Sequence, residues 1–140
     1  MTTTLNKPLS VALREATARA HEHAENSAFM QRLLSGELNK SAVADLAGQL
    51  WFVYGALENA VRSVATTPIA GAVADPRLER RQALEADLKI LVGENWSEEI
   101  RILPATTAYT ARLEKIVSQP VEVVAHHYVR YLGDISGGQV

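Results

Sequence analysis

The stretch that decides the fold is SAVADLAGQLWFVYGALENAVRSV, residues 41–64 of a chain of 140 residues. Its apolar side chains recur at steps of three and four residues, which is the period of one face of an α-helix. The residues on that face are Val43, Leu46, Ala47, Leu50, Val53, Tyr54, Leu57, Ala60, Val61 and Val64. This pattern predicts a long amphipathic helix that Thr66-Thr67-Pro68 ends.

The helical period continues upstream of this stretch. Ser10 is a suitable N-cap for a first helix, whose inner face includes His21. A second, short helix through Phe29 and Leu34 is expected to stop at Gly36, because glycine readily takes the backbone conformation that follows a helix end.

Three further helix-start signals follow downstream. Asp75 and Pro76 form an N-cap followed by a proline at the first helical position, which predicts a helix continuing to Gly93. Pro104 and Pro120 each open a further amphipathic segment. Since no segment alternates convincingly with period two, the sequence predicts an all-α fold.

The composition is that of one ordinary globular domain covering residues 1–140. A net charge of −2 argues against nucleic acid as the main partner, since phosphate binding needs a basic excess. The chain has no cysteine, which excludes disulfides, thiolate nucleophiles and cysteine metal sites. We find no signal peptide and no apolar stretch long enough to span a membrane, so a cytoplasmic protein is expected.

One candidate site is a histidine and a carboxylate on the first predicted helix. His21 and Glu25 are four residues apart and therefore share a helix face. A metal-binding histidine usually has its second ring nitrogen held, often by a carboxylate, and Glu25 could do this. An isolated pair of this kind is more often a simple surface contact. Arg14 lies two turns earlier on the same face, about 10 Å away along the helix axis.

The other candidate site is the glycine-rich end of the last helix. Gly133 and Gly137 are four apart, so they bare a strip of backbone, and Asp134 and Gly138 flank it. Glycine inside a helix costs roughly 0.5–1 kcal/mol of stability relative to alanine. This cost is tolerated where another group must approach the backbone closely. A glycine-rich helix end and a helix that faces a planar cofactor both fit this pattern. In the second case Asp134 could order water for proton transfer.

Three segments resemble one known family, the haem oxygenases, and resemble its bacterial iron-acquisition members most. The segments are LREATARAHEHAENSAFM at residues 13–30, YGALENAV at residues 54–61 and HHYVRYLGDISGGQV at residues 126–140. They are similar to the family's proximal region, its next long helix and its distal helix, in that order. The resemblance implies a multi-helical domain in which haem lies between the first helix and the last one.

The resemblance also implies roles for individual residues. His21 would be the axial ligand of the haem iron, with Glu25 holding its ring, and Asp134 would organise the distal water. Haem-binding positions would be Arg14, Tyr128, Gly133, Ser136, Gly137 and Gly138. Tyr54 and Arg130 would belong to a distal polar network. The family commonly has lysine where this chain has Arg14, which keeps the charge but changes its geometry.

The implied reaction cleaves haem, which is both cofactor and substrate, to biliverdin, ferrous iron and CO. It consumes O2 and needs electrons from a separate reductase or ferredoxin, since nothing in this chain resembles a flavin or nicotinamide site. Family members continue beyond the position of Val140, so the chain is expected to be an N-terminal portion, incomplete at its C-terminus. A haem-binding or haem-transfer module without turnover and a purely structural helical domain are the alternative hypotheses.

Overall fold

The computed structural model describes residues 7–137, and within them the backbone forms seven α-helices, one short 3₁₀ helix and no β-strand. This confirms the predicted all-α class. The chain divides into two compact units, residues 1–38 and residues 39–140. Gly138, one of the predicted haem-binding residues, lies outside the described residues.

The smaller unit consists of two helices, α1 (Leu9–Glu25) and α2 (Ala28–Leu34). The prediction that Ser10 caps α1 is wrong. The N-cap is Pro8 and the helix begins two residues earlier than predicted, because the Pro8 carbonyl already accepts from the amides of Val11 and Ala12, at 3.0 and 3.1 Å. As expected, α2 ends just before Gly36, which has a left-handed φ of +74°. Neither helix contains a buried residue.

The larger unit is built around the helix that the opening stretch predicts, α3 (Lys40–Val64). The elements that follow are α4 (Arg81–Leu91), α5 (Trp96–Glu99), α6 (Pro104–Lys115) and α7 (Pro120–Gly137). Helices α4, α6 and α7 pack against α3. Their shared core is Tyr54, Leu57, Ala60, Val64, Ala70, Leu84, Leu113, Ile116 and Val123. Burying each leucine or valine in this core contributes about 1.5–3 kcal/mol.

The predicted helix from Asp75 to Gly93 is wrong in its first turn. Pro76–Leu78 form only a 3₁₀ turn, and α4 begins after it. The cause is Glu58, a buried side chain of α3, whose Oε1 accepts from the backbone amides of Arg80 at 2.6 Å and Arg81 at 3.0 Å. A continuous helix would have used those amides itself, so Glu58 acts as the N-terminal cap of α4.

Candidate functional site

Asp134, near the end of α7, is held by two donors from different parts of the larger unit. Its Oδ2 accepts a hydrogen bond from the hydroxyl of Tyr54 on α3. Its Oδ1 accepts from Nη2 of Arg130, one helical turn earlier on α7, at 2.8 Å. About 29% of the Asp134 side chain remains exposed. The carboxylate is therefore oriented by protein on one side and open to water on the other.

The electrostatics keep this arrangement intact at neutral pH. Burial raises the pKa of Tyr54 well above its usual range, and the hydrogen bond to Asp134 raises it further, so Tyr54 remains a protonated donor. Each carboxylate oxygen has two lone-pair sites, and one donor occupies only one of them. The remaining sites on Asp134 can accept hydrogen bonds from water. Nε of Arg130 is buried and has no hydrogen-bond partner among residues 7–137.

The ring of Tyr54 packs against Tyr131 of α7, which in turn stacks on His127. The ring of Tyr131 meets the ring of Tyr54 edge to face, with centroids 5.5 Å apart. The Tyr131 hydroxyl donates to the backbone carbonyl of Leu78, and burial raises its pKa to about 12. The ring of His127, four residues earlier on α7, stacks on the ring of Tyr131, and the two centroids are 4.2 Å apart. These contacts fix the direction from which Tyr54 reaches Asp134.

Sequence reasoning missed Tyr131 and His127. The available signal was their spacing, since Tyr131 precedes Asp134 by three residues and His127 precedes Tyr131 by four, which places them along one side of a helix. That spacing alone does not reveal the contact with α3. A second missed pair is Tyr109 and His126, whose hydroxyl and Nδ1 are 2.9 Å apart.

The glycine strip of α7 faces open space. A Cβ added to Gly133 or Gly137 would meet no described atom within 4 Å, so packing does not require glycine at either position. Both residues are exposed, as is Ser136, and the side chain of Tyr128 is 64% exposed. A flat group could approach this backbone without displacing any side chain of the described structure.

The smaller unit carries the other predicted residues on α1. Nδ1 of His21 and Oε2 of Glu25 are 3.6 Å apart, slightly beyond hydrogen-bond distance, and the two side chains are 76% and 65% exposed. The structure thus brings the pair together but leaves the imidazole open to solvent. Arg14 is exposed and forms no ion pair with any residue between 7 and 137.

Metal-binding clusters and membrane-spanning helices are both absent from residues 7–137. No group of three or more histidine or acidic side chains is arranged to hold a metal ion. No helix in this part of the chain is long and apolar enough to cross a membrane.

Comparison with known proteins identifies the family to which the chain is similar. A family model described as heme oxygenase matches residues 7–140. Heme oxygenase 1 of Synechocystis sp. is 41% identical over 133 residues, which cover 94% of this chain and 55% of that protein. The chain spans about half the length of the curated relatives it matches.

Solved structures give the same result for the fold. The crystal structure of heme oxygenase-1 from Synechocystis sp. in complex with heme is similar with a TM-score of 0.84 and 40% identity, covering 93% of this chain and 59% of that one. Heme oxygenase-2 from the same cyanobacterium, in complex with heme and NO, has a TM-score of 0.85 and 38% identity, covering 95% and 55%.

Proposed function

Because this chain belongs to the haem oxygenase family, we propose that it acts in haem degradation, cleaving haem oxidatively to biliverdin, ferrous iron and CO. O2 and electrons from an external reductase or ferredoxin would be consumed, and the reaction would take place in the cytoplasm. Release of iron from haem would be its purpose. The chain is shorter than its relatives, so the activity, the substrate and the electron donor are all part of the proposal.

The observation that carries the proposal is the pairing of a held carboxylate with an uncovered strip of backbone. Asp134 is oriented by Tyr54 and Arg130, while Gly133 and Gly137 next to it have no neighbour at the Cβ position. A purely structural helix would gain about 1 kcal/mol from alanine at each exposed glycine. Their presence beside an oriented acid supports a role in admitting a flat ligand and supplying protons to it.

The residues of the chain fit haem as substrate and cofactor. His21 has an exposed imidazole that can bind iron, and Glu25 is close enough to orient the ring after a small rotation. Arg14 and Tyr128, both exposed, would bind the propionates. When bound, haem would supply both the redox-active iron and the porphyrin ring that serves as substrate.

Asp134 would act as a proton relay rather than as a direct acid. Its carboxylate accepts from two protein donors, so a water molecule that it also binds would have a fixed position. Such a water can pass protons to the reacting oxygen while Asp134 stays ionised. Gly133, Ser136 and Gly137 would leave room next to one edge of the porphyrin, because their side chains are small. The reacting oxygen would therefore reach the ring at that edge.

Titration of the chain with haem, followed by ascorbate in air, tests the proposal. We expect a histidine-ligated absorption spectrum that His21→Ala abolishes, and then bilin absorbance with release of CO. His23→Ala is the matched control, since His23 is two residues away on a different face of α1. An unchanged spectrum in His21→Ala would show that the ligand assignment is wrong.

The outcomes of this experiment separate the alternatives. Haem binding without bilin or CO would support the haem-binding or haem-transfer module. The absence of any haem binding would support a structural domain and contradict the proposal as a whole.

A further inference from the structure

A cavity of about 400 Å³ lies in the larger unit, between the C-terminal half of α3, the segment that follows it and α7. Its apolar walls include Leu57, Val61, Ala74 and Leu78. Asp134, Arg130 and the glycine strip do not line it, although Tyr131 and His127, which support Tyr54, do. A volume of this size falls in the range of small-molecule sites, about 300–1,000 Å³.

The imidazole of His127 also lines this cavity and has no use in the proposed reaction. The residue is only 6% exposed, and its ring stacks on Tyr131 at an angle of 18°. No described residue forms a hydrogen bond with its side chain, whereas the neighbouring His126 is bonded to Tyr109. Burial lowers the pKa of His127, so at neutral pH one ring nitrogen donates and the other accepts.

The side chain of His127 therefore offers the cavity hydrogen-bonding nitrogens that no described residue uses. An occupant of the cavity could form a hydrogen bond with one of them. The lining therefore indicates a ligand with one polar group at a defined point and apolar surface elsewhere.

The cation that lines the cavity, Arg62, is already paired, so it does not attract an anionic ligand. Arg62 binds both carboxylate oxygens of Glu79, at 2.7 and 2.5 Å. Asp75 is paired with Arg77, and Glu58 accepts the two amides at the start of α4. No unpaired cation among the described lining residues remains to attract a carboxylate, and the apolar walls favour an uncharged ligand.

We propose that this cavity binds a small neutral apolar molecule with a single hydroxyl or N–H group, of which an aromatic alcohol is the simplest example, and that His127 hydrogen-bonds this group. This site is additional to the proposed haem site and does not depend on it.

Fluorescence titration of the whole chain with 2-naphthol tests the proposal. We expect saturable binding, and about five- to tenfold weaker binding of 2-methylnaphthalene, which has the same shape without the hydroxyl. His127→Phe keeps the stacking and should lower the affinity for 2-naphthol by the same factor while leaving 2-methylnaphthalene unaffected. His126→Phe is the matched control and should leave both affinities unchanged.

A second pair of variants assigns the binding to this cavity. Ala74→Phe fills the cavity from its wall and should lower 2-naphthol affinity at least about tenfold. Ala72→Phe introduces the same side chain at an exposed position of the same segment that does not line the cavity, and should have no effect. Binding that Ala74→Phe leaves intact would mean that 2-naphthol occupies another surface, such as the face of α7. That result, or no saturable binding at all, would overturn the proposal.

Discussion

The two candidate regions differ in how their functional side chains are supported. On α7, Asp134 is fixed by Tyr54 from α3 and by Arg130, and Tyr131 supports Tyr54 in turn. On α1, Nδ1 of His21 lies 3.6 Å from Oε2 of Glu25, and α1 has no buried residue. The carboxylate is preorganised by the core of its own unit, while the imidazole is largely exposed among the described residues of its unit.

This difference indicates which side chains of the site would become ordered only when the ligand binds. A preorganised acid pays no ordering cost when the reaction begins, whereas an exposed side chain loses rotamer freedom on binding. We therefore expect variants in the core of the larger unit to affect folding, and variants of the exposed residues to affect haem binding alone.

Leu57→Ala should cause the largest loss of stability, because Leu57 is fully buried between α3 and its neighbours. We expect the free energy of unfolding to fall by about 2–5 kcal/mol. Leu13→Ala on α1 is the matched control, and its exposed side chain predicts a change within about 0.5 kcal/mol. Urea unfolding followed by circular dichroism measures both. Equal effects would contradict the contrast between the two regions.

Gly133→Ala should separate folding from haem binding. The added methyl group meets open space, so we expect stability to rise by about 0.5–1 kcal/mol while haem affinity falls. Gly48→Ala on α3 is the opposite case, because its Cβ would lie 3.2 Å from Cγ2 of Ile100 and should lower stability. Thermal unfolding and haem titration measure the two quantities. Unchanged haem affinity in Gly133→Ala would remove the glycine strip from the proposed site.

The smallest expected effect is the pH dependence of stability that His126 and His127 of α7 cause. Burial lowers the pKa of His127 below 6.5 in the folded chain. The unfolded chain therefore takes up a proton at this side chain more readily than the folded chain does. Stability should therefore fall as the pH decreases below 6.5. His127→Phe should reduce this decrease, leaving the part due to His126, whose pKa burial also lowers. The stabilising effect of Asp75, whose pKa Arg77 lowers to about 2, is lost only at lower pH. An identical pH profile in His127→Phe would contradict this account.

The helices that sequence patterns predicted well are those whose signals are local. The apolar period of residues 41–64 and the prolines at 104 and 120 correspond to α3, α6 and α7. The start of α4 was misplaced because its cap comes from Glu58, 22 residues earlier in the chain. Single-sequence reasoning has no access to a cap of this kind.

The same limit applies to the site. The spacing of His21 and Glu25, and of Gly133 and Gly137, was visible in the sequence, and the resemblance to haem oxygenases suggested Tyr54 and Arg130. The contact of Tyr54 with Asp134 joins residues 80 positions apart, and the support from Tyr131 depends on how α7 packs against α3. Such contacts follow from tertiary packing, which no local pattern encodes. The functional roles of these residues remain predictions.

The central claim is that Asp134, held by Tyr54 and Arg130, relays protons during haem cleavage. The direct test compares Asp134→Ala with Asp45→Ala, an exposed aspartate of α3, after haem loading and reduction by ascorbate in air. We expect both variants to bind haem with the histidine-ligated spectrum, and only Asp45→Ala to form biliverdin and CO. Asp134→Ala should instead oxidise added guaiacol in a peroxidase-like reaction with hydrogen peroxide. A normal biliverdin yield from Asp134→Ala would contradict the claim.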